Sequence, residues 1–255
     1  MRAAAIALAL LAAQAAAETK RFVSCPVYRD TVQGRKSGCW LATELESGQQ
    51  FDLQQAHTKP QLGHEVLVEG ELPPQGQRES NFCGAVLLKP VRVSVLSTPC
   101  PAVVLPAEGY PGKLFQLPGS VLTPNHLPQP MPAPPYRTQR LTLQFDLNDD
   151  YLLYQHAEVP LQQAARLARL GGAERVVVTG YAATVPTRVS AREIREDISV
   201  AGARARMVAE ALKRLGVAPA LLKVQWHGDP PPDEGAPPAL REASKRRATV
   251  EVVIP

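Results

Sequence analysis

The chain has 255 residues, 45% of them apolar and 20% charged, which suits one large globular domain or two small ones and excludes wholesale disorder. Its formal net charge is +4, and the basic residues are scattered rather than gathered in a run, so nucleic acid is not an expected partner. Five histidines, His57, His64, His126, His156 and His227, are dispersed without a G-x-S-x-G, H-E-x-x-H or Cys/His signature, so neither catalysis nor a metal or cofactor is expected.

Residues 1–17, MRAAAIALALLAAQAAA, carry one early positive charge, a short apolar run and a small-residue end at Ala15, Ala16 and Ala17. This is the pattern of a secretory signal peptide cleaved before Glu18, with an uncleaved anchor helix as the alternative. Cys25 lies too far beyond that point to serve as a lipid attachment site. The expected location is the periplasm, with no transmembrane span in the mature chain.

Residues 18–105 alternate short apolar stretches, GCWLATEL, QQFDL, EVLVEGEL, CGAVLL and VRVSVL, with turn signals such as SG, PPQG and KP. They predict a small all-β domain, for which an OB-like barrel is one arrangement. Cys25, Cys39, Cys83 and Cys100 all fall here, an even number that predicts two disulfides of undecided connectivity in an oxidising compartment. Trp40, Phe51, Phe82 and Tyr28 could form either a ligand-stacking face or the core. Residues 106–138 form a proline-rich linker ending in LPQPMPAPP, poor in backbone donors and suited to extended geometry.

Residues 139–255 change texture. RLTLQFDL predicts a strand and PLQQAARLARLGG a helix beginning at Pro160; AERVVVTGYA predicts a strand ending near Gly180. A polar stretch, a helix from Val200 to Val217, the strand LLKVQWHG, a short basic helix ALREASKRR and a last strand ATVEVVI follow. The order β-α-β-α-β-(α)-β predicts an α+β fold, an α/β sandwich with one face of the sheet covered.

The second helix contains an anomaly. Ala201, Ala205, Val208, Ala211, Leu212 and Leu215 make one apolar stripe, yet Arg204 falls on it, near a helix start whose free N–H groups favour an anion. Two explanations stand open: a guanidinium presented to an outside carboxylate, or an internal ion pair with Asp197 or a nearby glutamate.

These residues resemble the OmpA-like C-terminal domain, a peptidoglycan-associating module of bacterial envelope proteins. TGYAA stands where the family has GHTD, with Gly180 matching; Asp197 to Val208 follows the N-x-x-L-S-x-x-R-A-x-x-V spacing, with Arg204 and Ala205 matching; LGVAPALLKVQWHGDPPPD and Lys245 to Val252 resemble the following turn, strand and terminal strand. The resemblance implies a non-catalytic anchor that binds the diaminopimelate of a peptidoglycan stem peptide, through Arg204 with Asp197, Tyr181, Gly180 and Arg246 around it. The N-terminal β domain would meet another envelope protein. Three departures matter: Ala183 replaces the family's aspartate, Tyr181 its histidine, and the segment between Ala183 and Arg204 is longer than usual. Glu193, Glu196 or Asp197 could restore the acid. If none does, the domain has lost the wall and serves as a protein-interaction module in an envelope or secretion assembly.

Overall fold

The computed structural model describes residues 17–30, 38–79, 84–107, 133–152 and 154–255. The predicted signal segment up to residue 16, Phe82, Cys83, most of the proline-rich linker and His126 lie outside them. No helix among the described residues is long and apolar enough to cross a membrane.

The N-terminal unit is all β, as its alternation predicts. Its strands are β1 (Glu18–Ser24), β2 (Val27–Arg29), β3 (Cys39–Thr43), β4 (Gln50–Asp52), β5 (His64–Leu72), β6 (Val86–Leu87), β7 (Val91–Pro99) and β8 (Val103–Leu105). They divide between a three-stranded sheet, β1-β5-β7, and a five-stranded sheet, β6-β4-β3-β2-β8, so among the described residues the ladder does not close into the OB-like barrel considered from sequence. Phe22, Phe51, Leu53, Val66, Val68 and Leu88 fill the space between them. Phe51 is therefore core, whereas Tyr28 and Trp40 stack on each other, centroids 5.0 Å apart, and stay half-buried. Cys39 is disulfide-bonded. Cys25 and Cys100 depart from the two-disulfide expectation: both are free thiols, hydrogen-bonded to each other. Burial first, then that contact, pushes the Cys100 thiol up to about 12.

The C-terminal unit comprises β9 (Gln139–Gln144), α1 (Tyr154–Leu170), β10 (Arg175–Ala182), β11 (Thr187–Val189), β12 (Arg192–Ile194), α2 (Ile198–Arg214), β13 (Leu222–Gly228) and β14 (Arg247–Val253). The main sheet runs β13-β10-β14-β9, parallel between β10 and β13 and antiparallel elsewhere. Both helices cover one face, joining Leu143, Leu161, Leu167, Val178, Val208, Leu212 and Val250 in a single core. Helix α1 begins well before the expected start, with Pro160 inside it. The missing N–H of that proline removes one intrahelical bond, a loss offset by burying Ala157, Leu161 and Ala164. The predicted short basic helix is instead two 3-10 turns, Pro238–Leu240 and Ala243–Lys245.

Gly180 sets how near α2 approaches the sheet. A Cβ there would lie 1.9 Å from the carbonyl oxygen of Ala201, a backbone atom that cannot swing aside. Gly180→Ala should therefore force the helix off the sheet and lower stability by about 1–3 kcal/mol, read by chemical denaturation.

The two units pack directly on each other. Strand β5 has both faces covered: Val66 and Val68 face the N-terminal core, while Leu67 joins Val23, Leu147, Val189 and Ile194 in a cluster shared between the units. The 3-10 turn Pro238–Leu240 lies against β1 and β5. Ser94 Oγ accepts from the Leu147 N–H at 2.9 Å, and Arg192 makes a two-pronged pair with Glu65 at 2.8 and 3.1 Å.

Candidate functional site

The stretch between Ala183 and α2, charged and longer than the family spacing, folds as the β11–β12 hairpin. Its two turn residues, Ser190 and Ala191, both have positive φ, 45° and 63°, a conformation normally supplied by Asn-Gly. Docking holds it: Ser190 Oγ accepts from the Val23 N–H of β1 at 3.1 Å, and Val189 and Ile194 enter the shared apolar cluster. The hairpin then delivers Glu196 to the start of α2, where Asp197 caps the helix by accepting from the Ser199 N–H at 2.8 Å. The Ser199 hydroxyl first, then its N–H, hold the exposed Asp197 carboxyl below its ordinary range.

Arg204 projects from the first turns of α2 into the space between this hairpin and the loop after β9, and its solvent exposure is 0%. Nη1 donates to Glu196 Oε2 at 3.0 Å and to the Tyr181 carbonyl at 2.7 Å. Nη2 donates to Glu196 Oε1 at 2.5 Å and to the Asp146 carbonyl at 2.8 Å. Nε donates to the Asp149 carbonyl at 2.8 Å, and the guanidinium lies 5.2 Å from the Phe145 ring centroid. A guanidinium has five N–H donors, and the chain itself takes all five. Of the two explanations for an arginine on the apolar stripe, the internal pair describes this geometry.

Glu196 is equally complete. Besides the two prongs to Arg204, its Oε1 accepts from the Asn148 N–H and its Oε2 from the Ala183 N–H, both at 2.8 Å. Asn148 reaches that position through a left-handed backbone, φ 57°. The backbone of Ala183 binds residue 196 in both directions, since the Glu196 N–H also donates to the Ala183 carbonyl at 2.8 Å. The acid is supplied from the hairpin, and it is aimed inward at Arg204 rather than outward at a ligand.

The remaining expected site residues do not converge on an open cleft. Tyr181 offers its carbonyl to Arg204, while its ring lies 4.9 Å from the guanidinium of Arg247 and 6.1 Å from the His227 ring. Glu193 is exposed and pairs with Arg195 at 3.2 Å. Arg246, expected near a glycan or carboxylate, is buried and forms a close ion pair with Glu69 on β5, which also accepts from Arg21 Nε at 3.0 Å. Burial opposes a charge on Glu69, but Arg246 and then Arg21 outweigh it and hold the carboxyl below its ordinary range. The same carboxylate holds the Arg246 guanidinium above its ordinary range against desolvation. Glu69 was missed in the sequence because EVLVEGEL reads as a strand with a solvent face; the consecutive Val66, Leu67 and Val68 were the signal that both faces are covered.

Among the described residues no group of three or more His, Cys, Asp or Glu side chains is placed to hold a metal. His227 sits at the end of β13, and the neighbouring Asp229 lies 3.6 Å from Lys245.

No family model matches the chain, and no curated protein matches it. Solved structures do. The OmpA-like domain of FopA1 from Francisella tularensis is 18% identical, with a TM-score of 0.37, covering 45% of this chain and 71% of that one. The peptidoglycan-associated lipoprotein from Burkholderia pseudomallei is 24% identical, with a TM-score of 0.34 and coverage of 43% and 86%. The cell wall anchor of the T6SS from Pseudomonas aeruginosa is 19% identical, with a TM-score of 0.36 and coverage of 46% and 82%.

Proposed function

We propose that this protein is a non-catalytic scaffold of the bacterial cell envelope, in the periplasm, whose OmpA-like C-terminal unit acts as a protein-interaction module rather than as a grip on peptidoglycan. The observation that carries this reading is the closed Arg204–Glu196 pair: both side chains are fully buried, and every donor of the guanidinium already has an acceptor within the chain. An incoming diaminopimelate carboxylate would have to displace Glu196 from four hydrogen bonds, and exchanging one buried carboxylate for another gains little. The OmpA-like assignment rests on the residue pattern around Gly180, Arg204 and Ala205 and on the element order. The envelope location rests on the signal-like N-terminal segment and on the disulfide-bonded Cys39 of the β unit.

Co-sedimentation with isolated sacculi tests the proposal. The purified protein should stay in the supernatant, with or without free diaminopimelate. Sedimentation that free diaminopimelate competes away and Arg204→Ala abolishes would instead establish the wall-anchoring function.

A further inference from the structure

A cavity of ≈ 490 Å3 opens between the two units, away from the Arg204 pair and inside the range of about 300–1,000 Å3 usual for small-molecule sites. Its walls come from the segment after β4, the start of β7, strand β9 and the start of α1. The polar side is basic: His57, His156, Lys89 and Arg92 line it, with no aspartate or glutamate among the described lining residues. The His57 and His156 rings touch at a tilt of 46°, with centroids 3.7 Å apart. That contact brings two protonatable rings together beside two cations, where the internal counter-charges acting on Arg92 are Asp146, already held by it at 3.1 Å, and Glu69, already paired with Arg246. The opposite side is apolar, formed by Pro90, Leu143, Leu152 and Leu240. Leu152 and Ala157 also line a second groove of ≈ 250 Å3 between α1 and α2, floored by Leu161 and the exposed Leu215. Leu152 and Ala157 are thus shared by the basic cavity and by a groove whose lining also includes Glu158 and Arg214.

We propose that this cavity binds an amphipathic organic anion, an aliphatic chain ending in a carboxylate or phosphate. The head sits among His57, His156, Lys89 and Arg92, and the chain runs over Leu152 toward Leu161 and Leu215. The local field supports this orientation: partial withdrawal from water, then His156 and Arg92, hold the His57 imidazole below its ordinary range, with Asp146 opposing. An anion seated there would raise it.

The test uses the full chain with dodecanoate and monododecyl phosphate at concentrations where both are monomeric. Acetate supplies the head alone, and dodecyltrimethylammonium the chain with the opposite charge. The expected result is saturable calorimetric binding of at least one long-chain anion, with an upward shift of the His57 titration in histidine NMR. Acetate and the cationic amphiphile should bind at least about tenfold more weakly. His57→Glu with Lys89→Glu, both exposed positions, should weaken the anion by about tenfold or more while thermal melting stays that of the parent. Absence of binding by both anions, equal binding of the cationic amphiphile, or unchanged affinity in the folded double variant would overturn the proposal. None of these outcomes depends on whether sacculi are bound.

Discussion

Replacing Glu196 by alanine should lower the stability of the protein by about 3–5 kcal/mol, because it strips the counter-charge from a guanidinium with no exposure to water. The loss is more than one ion pair. The Asn148 and Ala183 N–H groups lose their acceptor together with Arg204, so the loop after β9 and the end of β10 come loose from the start of α2. Urea denaturation followed by far-UV circular dichroism measures the effect. The companion variant Glu196→Leu with Arg204→Met removes both charges at similar volume and should recover most of the stability, since a buried pair replaced as a pair by apolar side chains is close to neutral. A Glu196→Ala protein as stable as the parent would mean that Arg204 is not sealed in solution and that the interaction-module reading has lost its support.

Replacing Glu69 should have a comparable effect by a different route. Glu69→Ala leaves Arg246 buried and unpaired and releases Arg21, so about 3–5 kcal/mol should again be lost, this time from the contact between the units. Its pH dependence identifies it. The folded-state carboxyl lies below the ordinary value of 4.5, so on acidification the unfolded chain takes up the proton first. The stability contributed by Glu69 is thus fully present above about pH 5 and falls away as pH drops toward and through the lowered folded value. In Glu69→Gln this acid limb should flatten relative to the parent. Thermal melts across that range decide it, and parallel acid limbs in the two proteins would rule out a charged Glu69 at the interface.

How much of this could be seen in the sequence depended on whether a signal was local. Helix α2 was legible because its apolar period is written within one element, and Arg204 was conspicuous for falling on that stripe; the Asp197 cap came only from the structure. Strands β9, β10, β13 and β14 followed from alternation and β-branched runs. The destination of Arg204 was not legible, because it depends on a hairpin whose turn is Ser190-Ala191, a pair that carries no turn signature and is held in place by β1, more than 160 residues away. Strand β1 itself was overlooked, its Glu18, Lys20 and Arg21 masking a strand that pairs with β5 along its whole length. Helix α1 was started late for the reverse reason: Pro160 is a strong local sign of a helix beginning, and tertiary burial of Ala157 on its N-terminal side overrode it.

The direct packing of the two units changes what the proline-rich segment can accomplish. Residues 107 and 133 flank its central part, and the strands next to them, β8 and β9, belong to units already joined through Glu69–Arg246 and the Leu67 cluster. A tether whose two attachment points are fixed by other contacts does not set a reach. The spacing between the units stays where the buried carboxylate and the leucines hold it.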